Sequence, residues 1–182
     1  SYRLCVRPSE VGAGAEPFRP TGIQGATMPS MAELPEDDDG EYDHDFRADP
    51  EPYRVGRGEE GVFKVQPYKS ELLPLWGYAD PETAAEAAEA IYAQFLRYRR
   101  DDDFVGMDVA RKYLQMGYTR AMRYAHYPGG RKYDSDGSER ETVHWADPEK
   151  RKAALLFDHV RDRVRDDDHY QRRKREWREQ RG

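Results

Sequence analysis

Beyond residue 80 the apolar positions recur at spacings of three and four in three separate stretches, and each recurrence predicts an amphipathic helix. Ala84, Ala88, Ile91, Tyr92 and Phe95 form the first stripe. Asp80-Pro81-Glu82 precedes it with an N-cap oxygen, a proline for the first turn and an acid at the positive dipole end, so a helix is predicted over 81–100. Asp101 to Asp103 end that helix and cap the next, predicted over 104–125. Its Met107, Ala110, Leu114, Tyr118, Ala121 and Ala125 share one face, while Asp108, Lys112, Gln115, Thr119 and Arg123 line another. Burial of the first face is expected to present the second to solvent. Gly117 lies inside this helix at a cost of about 1 kcal/mol relative to alanine, which marks a close helix crossing or a break into two helices, the crossing being the favoured reading. Asp147-Pro148-Glu149 repeats the starting signal, and Ala153, Leu156, Phe157, Val160 and Val164 give a third stripe over 148–165.

Upstream, Val62-Phe63-Lys64-Val65-Gln66 is β-rich and closed by Pro67, which predicts a short strand or hairpin. The expected fold is therefore mostly α with a short strand or hairpin (α+β), built on three main helices. Trp76, Ile91, Phe95, Leu114, Leu156, Phe157 and Val160 are its expected core.

Residues 1–32 are rich in Gly, Pro, Ala and Ser without either period, the composition of a disordered leader, with Met28 and Met31 as alternative starts. Glu33 to Asp49 adds the run Glu36, Asp37, Asp38 and Asp39, read as a solvated tail or as a cover for basic surface elsewhere in the chain. The expected division is a leader and acidic tail over 1–49, one globular domain over 50–170, and a basic helix or tail over 171–182, where Trp177 is the one large apolar residue. Apolar residues are 37% and charged residues 36% of the chain, against about 45–50% and about 25% in ordinary globular domains, which agrees with part of the length being tail. No apolar run approaches the roughly 20 residues that span a bilayer, so a cytoplasmic protein without membrane contact is expected. Cys5 is the single cysteine, and His44, His126, His144, His159 and His169 are scattered, so neither a metal site nor a cofactor is expected.

Charge changes the picture most between Val109 and Tyr133, which holds Arg111, Lys112, Arg120, Arg123, Arg131 and Lys132 and no acid, inside a chain of net charge −6. Such an island is the mark of a surface that meets an anion. Nucleic-acid or phosphate binding through Lys112, Arg120, Arg123, Arg131 and Lys132 is the leading reading, with RNA or DNA as partner. Tyr113, Tyr124 or Tyr127 are available for stacking. The bland reading is a basic helix face paired with neighbouring acids. A rival is an enzyme acting on a phosphorylated small molecule, in which Gly56-Arg57-Gly58 and Lys69 hold phosphate and Glu59 or Glu71 moves protons. A third is a charge-driven protein-interaction module using the Arg-rich C-terminal segment and the acidic tail.

Three motifs in order, Tyr53-Arg54-Val55-Gly56-Arg57-Gly58-Glu59, then Pro67-Tyr68-Lys69-Ser70-Glu71, then Asp103-Phe104-Val105-Gly106-Met107 leading into Ala110 to Arg120, resemble those of the domain-of-unknown-function 4385 family. Arg123, Tyr124 and Lys132 also fit its pattern, and the resemblance covers Tyr42 to Tyr170. It implies a small cytosolic domain of the kind found in bacteria and some phages, and it carries no activity with it.

Overall fold

A computed structural model describes residues 43–181, all of them within one compact unit, Asp37–Gly182. The expectations for the leader, for Cys5 and for the acidic run Glu36 to Asp39 concern residues outside that range. The described chain is mostly helical: α1 is Tyr68–Leu72, α2 Pro81–Arg100, α3 Phe104–His126, α4 Pro148–Arg165 and α5 Asp168–Arg181. Short 3₁₀ turns follow α1 at Leu73–Leu75 and α3 at Pro128–Gly130. None of the described helices is long and apolar enough to cross a membrane.

The helix starts are local chemistry. Asp80 accepts from Thr83 N at 2.8 Å, Asp103 from Gly106 N at 3.0 Å and Asp147 from Lys150 N at 3.0 Å, and each satisfies an amide that the first turn leaves without a partner. The β-rich run behaves differently. Val62 to Val65 form turns in place of a strand, because Val62 N bonds back to Glu59 O at 3.2 Å and Lys64 N to Gly61 O at 3.0 Å. Val62 and Val65 still enter the core. Strand-like pairing among the described residues is confined to two isolated bridges, Asp45 with Gln66 and Tyr133 with Glu139.

Helix α3 is the axis of the fold, packed on α4 and α2 and touched by α1 and α5. Every residue from Phe104 to Ala110 is buried, as are Lys112, Tyr113 and Leu114. This corrects the expectation that the Asp108 and Lys112 side faces solvent. A one-sided amphipathic pattern presumes neighbours on one side only, and α3 has them nearly all round. The predicted crossing at Gly117 is present: a Cβ there would stand 2.5 Å from the Phe157 ring of α4. Ile91, Phe95, Leu114, Phe157 and Val160 are buried as expected, with Trp76 and Leu156 partly buried against them.

Burying α3 brings its carboxylate inside. Asp108 is 0% exposed, and its Oδ2 accepts from the Tyr53 hydroxyl while its Oδ1 accepts from the Tyr170 hydroxyl at 2.6 Å and from Arg111 Nε at 3.1 Å. Lys112 Nζ stands 3.8 Å away. Burial by itself pushes the carboxyl up. The charges of Arg111 and Lys112 and the two hydroxyls outweigh that and hold it below the ordinary value. The cluster joins three parts of the chain: the segment before α1, α3 and α5.

Contacts also extend on both sides of the span 50–170. Phe46 N donates to Gln66 O at 2.9 Å, and Arg47 gives Glu71 two bonds of 2.8 Å. In α5, Trp177 is 7% exposed, its ring 4.9 Å from that of Phe104 and its Nε1 donating to Tyr53 O at 3.2 Å.

Two outcomes follow from this packing. Gly117→Ala should lower the unfolding free energy measured in urea, since overpacking costs about 1–3 kcal/mol while the helix-propensity gain is about 1 kcal/mol. Adding Phe157→Leu should restore part of the loss. A carboxyl held low in the folded state contributes stability that is present above its unfolded value near about 4 and is lost as pH falls through the folded value. The urea midpoint should therefore fall as pH drops from about 5 to about 3, and Asp108→Asn should flatten that dependence while lowering the midpoint at neutral pH.

Candidate nucleic-acid interface

The C-terminal half of α3 is buried at Met116, Gly117, Ala121 and Ala125 and carries the part-exposed Arg120 and Tyr124 and the exposed Arg123. Tyr124 meets Tyr78, from the loop before α2, with ring centroids 6.1 Å apart, and Trp76 lies 5.0 Å behind Tyr78. Lys150, in the first turn of α4, donates to Tyr78 O at 2.8 Å and Ala79 O at 2.6 Å, and its ammonium sits 5.0 Å over the Tyr78 ring and 5.4 Å over that of Tyr124. One lysine thereby pins the loop, both tyrosines and the start of α4 together.

Gly130 completes the arrangement. Its φ is +70°, and a Cβ on it would stand 2.6 Å from the Tyr124 ring, so only glycine both takes the left-handed turn and lets the ring lie against the backbone. Arg131 follows directly, exposed.

Burial raises the Tyr78 phenol above its ordinary value and Tyr124 adds to the effect, while Arg120 and Arg123 oppose it. Those two guanidinium groups therefore lie close enough to act on Tyr78. Neither forms an ion pair with a carboxylate among the described residues, and Arg120 Nε is buried with no hydrogen-bond partner there. Beyond Arg123, His126 and Trp145 stand 5.3 Å apart, and the Arg151 guanidinium covers the Trp145 ring at 4.1 Å.

The residues read from sequence thus separate into groups. Arg120, Arg123 and Tyr124 gather about Tyr78, and Arg131 is exposed directly after Gly130. Lys112 and Tyr113 lie apart from them: Lys112 is paired with Asp108 inside, and Tyr113 is 0% exposed with its ring 6.4 Å from that of Phe63. Lys132 pairs with Glu139 at 3.4 Å, and Tyr127, 9% exposed, donates to the same carboxylate at 3.0 Å. Arg57 is exposed on the glycine turn and Lys69 lies on α1. Glu71, offered as a proton-transfer group, accepts from Arg47 and, at 2.6 Å, from the Tyr98 hydroxyl. The Arg47 bond foremost holds its carboxyl below the ordinary range, a poor setting for proton transfer near neutrality.

Sequence reasoning missed Tyr78 and Lys150. For Lys150 a signal existed, since a cation in the first turn of a helix opposes the dipole and needs another reason to be there. For Tyr78 there was none, because its partner Tyr124 is remote in sequence.

The model of a family described as a domain of unknown function, DUF4385, matches residues 36–180. The chain belongs to the DUF4385 family. The matched span includes both the Tyr78 and Tyr124 face and the buried Asp108 cluster, and it reaches into α5 as far as Gln180. No curated protein and no solved structure matches the chain.

Gly130→Ala should unseat Tyr124 and destabilise the protein by about 1–3 kcal/mol, combining left-handed strain with overpacking. Gly129→Ala, whose Cβ would meet nothing within 4 Å, carries the strain alone and should cost less. Thermal unfolding of the two variants makes the comparison.

Proposed function

We propose that this protein binds nucleic acid, RNA or DNA, through phosphate contacts from Arg120, Arg123 and Arg131, with Tyr78 and Tyr124 beside them. One observation carries the reading. In a chain with 36 acidic and 30 basic residues, Arg120 and Arg123 have no carboxylate partner among the described residues, whereas fourteen other lysines and arginines, Arg47, Arg99 and Arg163 among them, do.

Pairing with an acid would have been easy to arrange and would have contributed only about 0–1 kcal/mol at an exposed position. Arg123 is exposed, so leaving it unpaired costs the fold little and keeps its donor fork open for phosphate oxygens, while the buried Nε of Arg120 is a donor that the fold itself does not satisfy. The tyrosines lie half-buried at the same place, and base stacking on such rings contributes about 1–3 kcal/mol per base. A cytoplasmic location, where RNA and DNA are within reach, goes with this reading.

The test uses the full chain and labelled single-stranded and duplex oligonucleotides, followed by fluorescence anisotropy. Affinity should fall with salt, the logarithmic slope giving about 0.7–0.9 for each phosphate neutralised. Arg120→Glu combined with Arg123→Glu should abolish binding and leave the urea midpoint nearly unchanged. Failure to bind any nucleic acid at low salt would end the proposal.

A further inference from the structure

The Gly56-Arg57-Gly58 turn plays no part in that face. It packs instead against the N-terminal half of α3, where Arg111 Nη1 donates to Gly58 O at 3.2 Å. A Cβ on Gly56 would stand 3.5 Å from Lys112 Nζ and 3.3 Å from Glu60 Oε2, so an ammonium and an exposed carboxylate crowd the same side of the turn.

That ammonium is poorly satisfied. The Lys112 side chain is 2% exposed, and its nearest ion-pair oxygen, Asp108 Oδ2, is 3.8 Å away, outside hydrogen-bond range. Its other close partner is the face of Tyr53, 5.1 Å from the ring centroid. Asp108 has little left to offer, because Tyr53, Tyr170 and Arg111 already occupy its oxygens. Among the described residues Lys112 thus makes no hydrogen bond, and its ammonium is held by the charge of Asp108 and the face of Tyr53 alone, with donors to spare.

The local balance of charge is also positive. Lys174 of α5 lies over the Tyr170 ring at 5.4 Å and has no carboxylate pair among the described residues. That tyrosine donates to Asp108, the carboxylate Lys112 faces, so Lys174 stands one ring away from the acid that Lys112 pairs with. Arg111, Lys112 and Lys174 therefore face one buried acid, Asp108, and one exposed acid, Glu60. Burial pushes both lysines below their ordinary values, as expected where cations gather without enough counter-charge.

We propose that Lys112, Arg111, Lys174 and the Gly56–Gly58 turn form a site for a small tetrahedral oxyanion of the phosphate class, held as free phosphate or as the terminal phosphate of a small molecule. The anion accepts from Lys112 and Lys174 and takes the place beside Gly56 that the Glu60 carboxylate fills when the site is empty. Glu60, exposed on its turn, swings outward. Glycine at position 56 lets the anion approach the backbone. The site lies on the opposite half of α3 from Arg120 and Arg123, so it stands or falls independently of nucleic-acid binding.

Titration calorimetry of the full chain with inorganic phosphate at constant ionic strength, chloride replacing phosphate in the control, tests the proposal. Saturable binding is expected. Lys174→Gln should weaken it about tenfold, the loss of one charge-assisted hydrogen bond. Glu60→Gln should tighten it several-fold by removing the competing carboxylate. Arg120→Glu with Arg123→Glu should leave it unchanged. Lys112→Met should abolish it, and if that variant does not fold, the Lys174 and Glu60 variants decide. A nucleoside monophosphate binding more tightly than inorganic phosphate identifies a small-molecule phosphate as the ligand, and equal or weaker binding identifies the free ion. Absence of saturable heat with the wild-type chain for both probes overturns the site. So does an affinity that neither Lys174→Gln nor Glu60→Gln alters.

Discussion

A carboxylate with no solvent contact has to be matched from within, and in this protein that requirement falls on Asp108. An unpaired ion in the interior costs several kcal/mol even after relaxation, far more than any surface pair returns. Two tyrosine hydroxyls, one guanidinium and one ammonium meet the demand, drawn from positions as far as 62 residues away. Such a cluster is not a large net source of stability, because desolvation offsets most of the attraction. What it supplies is geometry. Any register that leaves Tyr53 or Tyr170 out of place exposes a buried charge to an apolar surrounding, so the segment before α1 and the C-terminal helix are held to the same spot on α3.

That constraint also makes the two halves of α3 unlike. Its N-terminal half is enclosed on nearly every side, and the charged residues there serve one another first. Its C-terminal half stays packed through Met116, Gly117, Ala121 and Ala125, and leaves Arg120 partly and Arg123 fully exposed on the turns that carry Tyr124. The basic island of the sequence is therefore not one surface. Lys112 faces inward beside the glycine turn, Arg111 pairs with Asp108, Lys132 pairs with Glu139, and Arg120, Arg123 and Arg131 have no carboxylate partner among the described residues.

The rest of the charged surface is consistent with this division. Arg47 is held by Glu71, Arg99 by Asp167, Arg163 by Glu89, and Arg181 by Glu51. In α5, whose composition suggested a tail recruiting partners by charge, Arg173 bonds both Asp102 and Glu176 while Trp177 enters the core. Arg172, Arg173 and Arg181 thus find acids, while Lys174 lies over the Tyr170 ring.

The Asp-Pro-Glu starts, the cap at Asp103, the extent of the three long helices and the tight crossing at Gly117 were legible in the amino-acid order alone, as was the family. These features depend on atoms within about one helical turn of one another, or on a side chain whose absence is itself the signal. Burial is another kind of property, since it is decided by how many neighbours a helix acquires. Periodicity reports the preferred inner side and says nothing of a second or third neighbour. For that reason Lys112 and Tyr113 read as surface residues and are interior ones, and the β-rich run at 62–66 reads as a strand and is a turn that buries Val62 and Val65, its one pairing the bridge of Gln66 with Asp45. Tyr78 facing Tyr124, Lys150 bridging them, and Gly56 set against Lys112 join residues that only folding brings within a few ångströms. The order of residues determined the pieces and their ends, and the packing of α3 among its neighbours decided which of its charges the solvent can see.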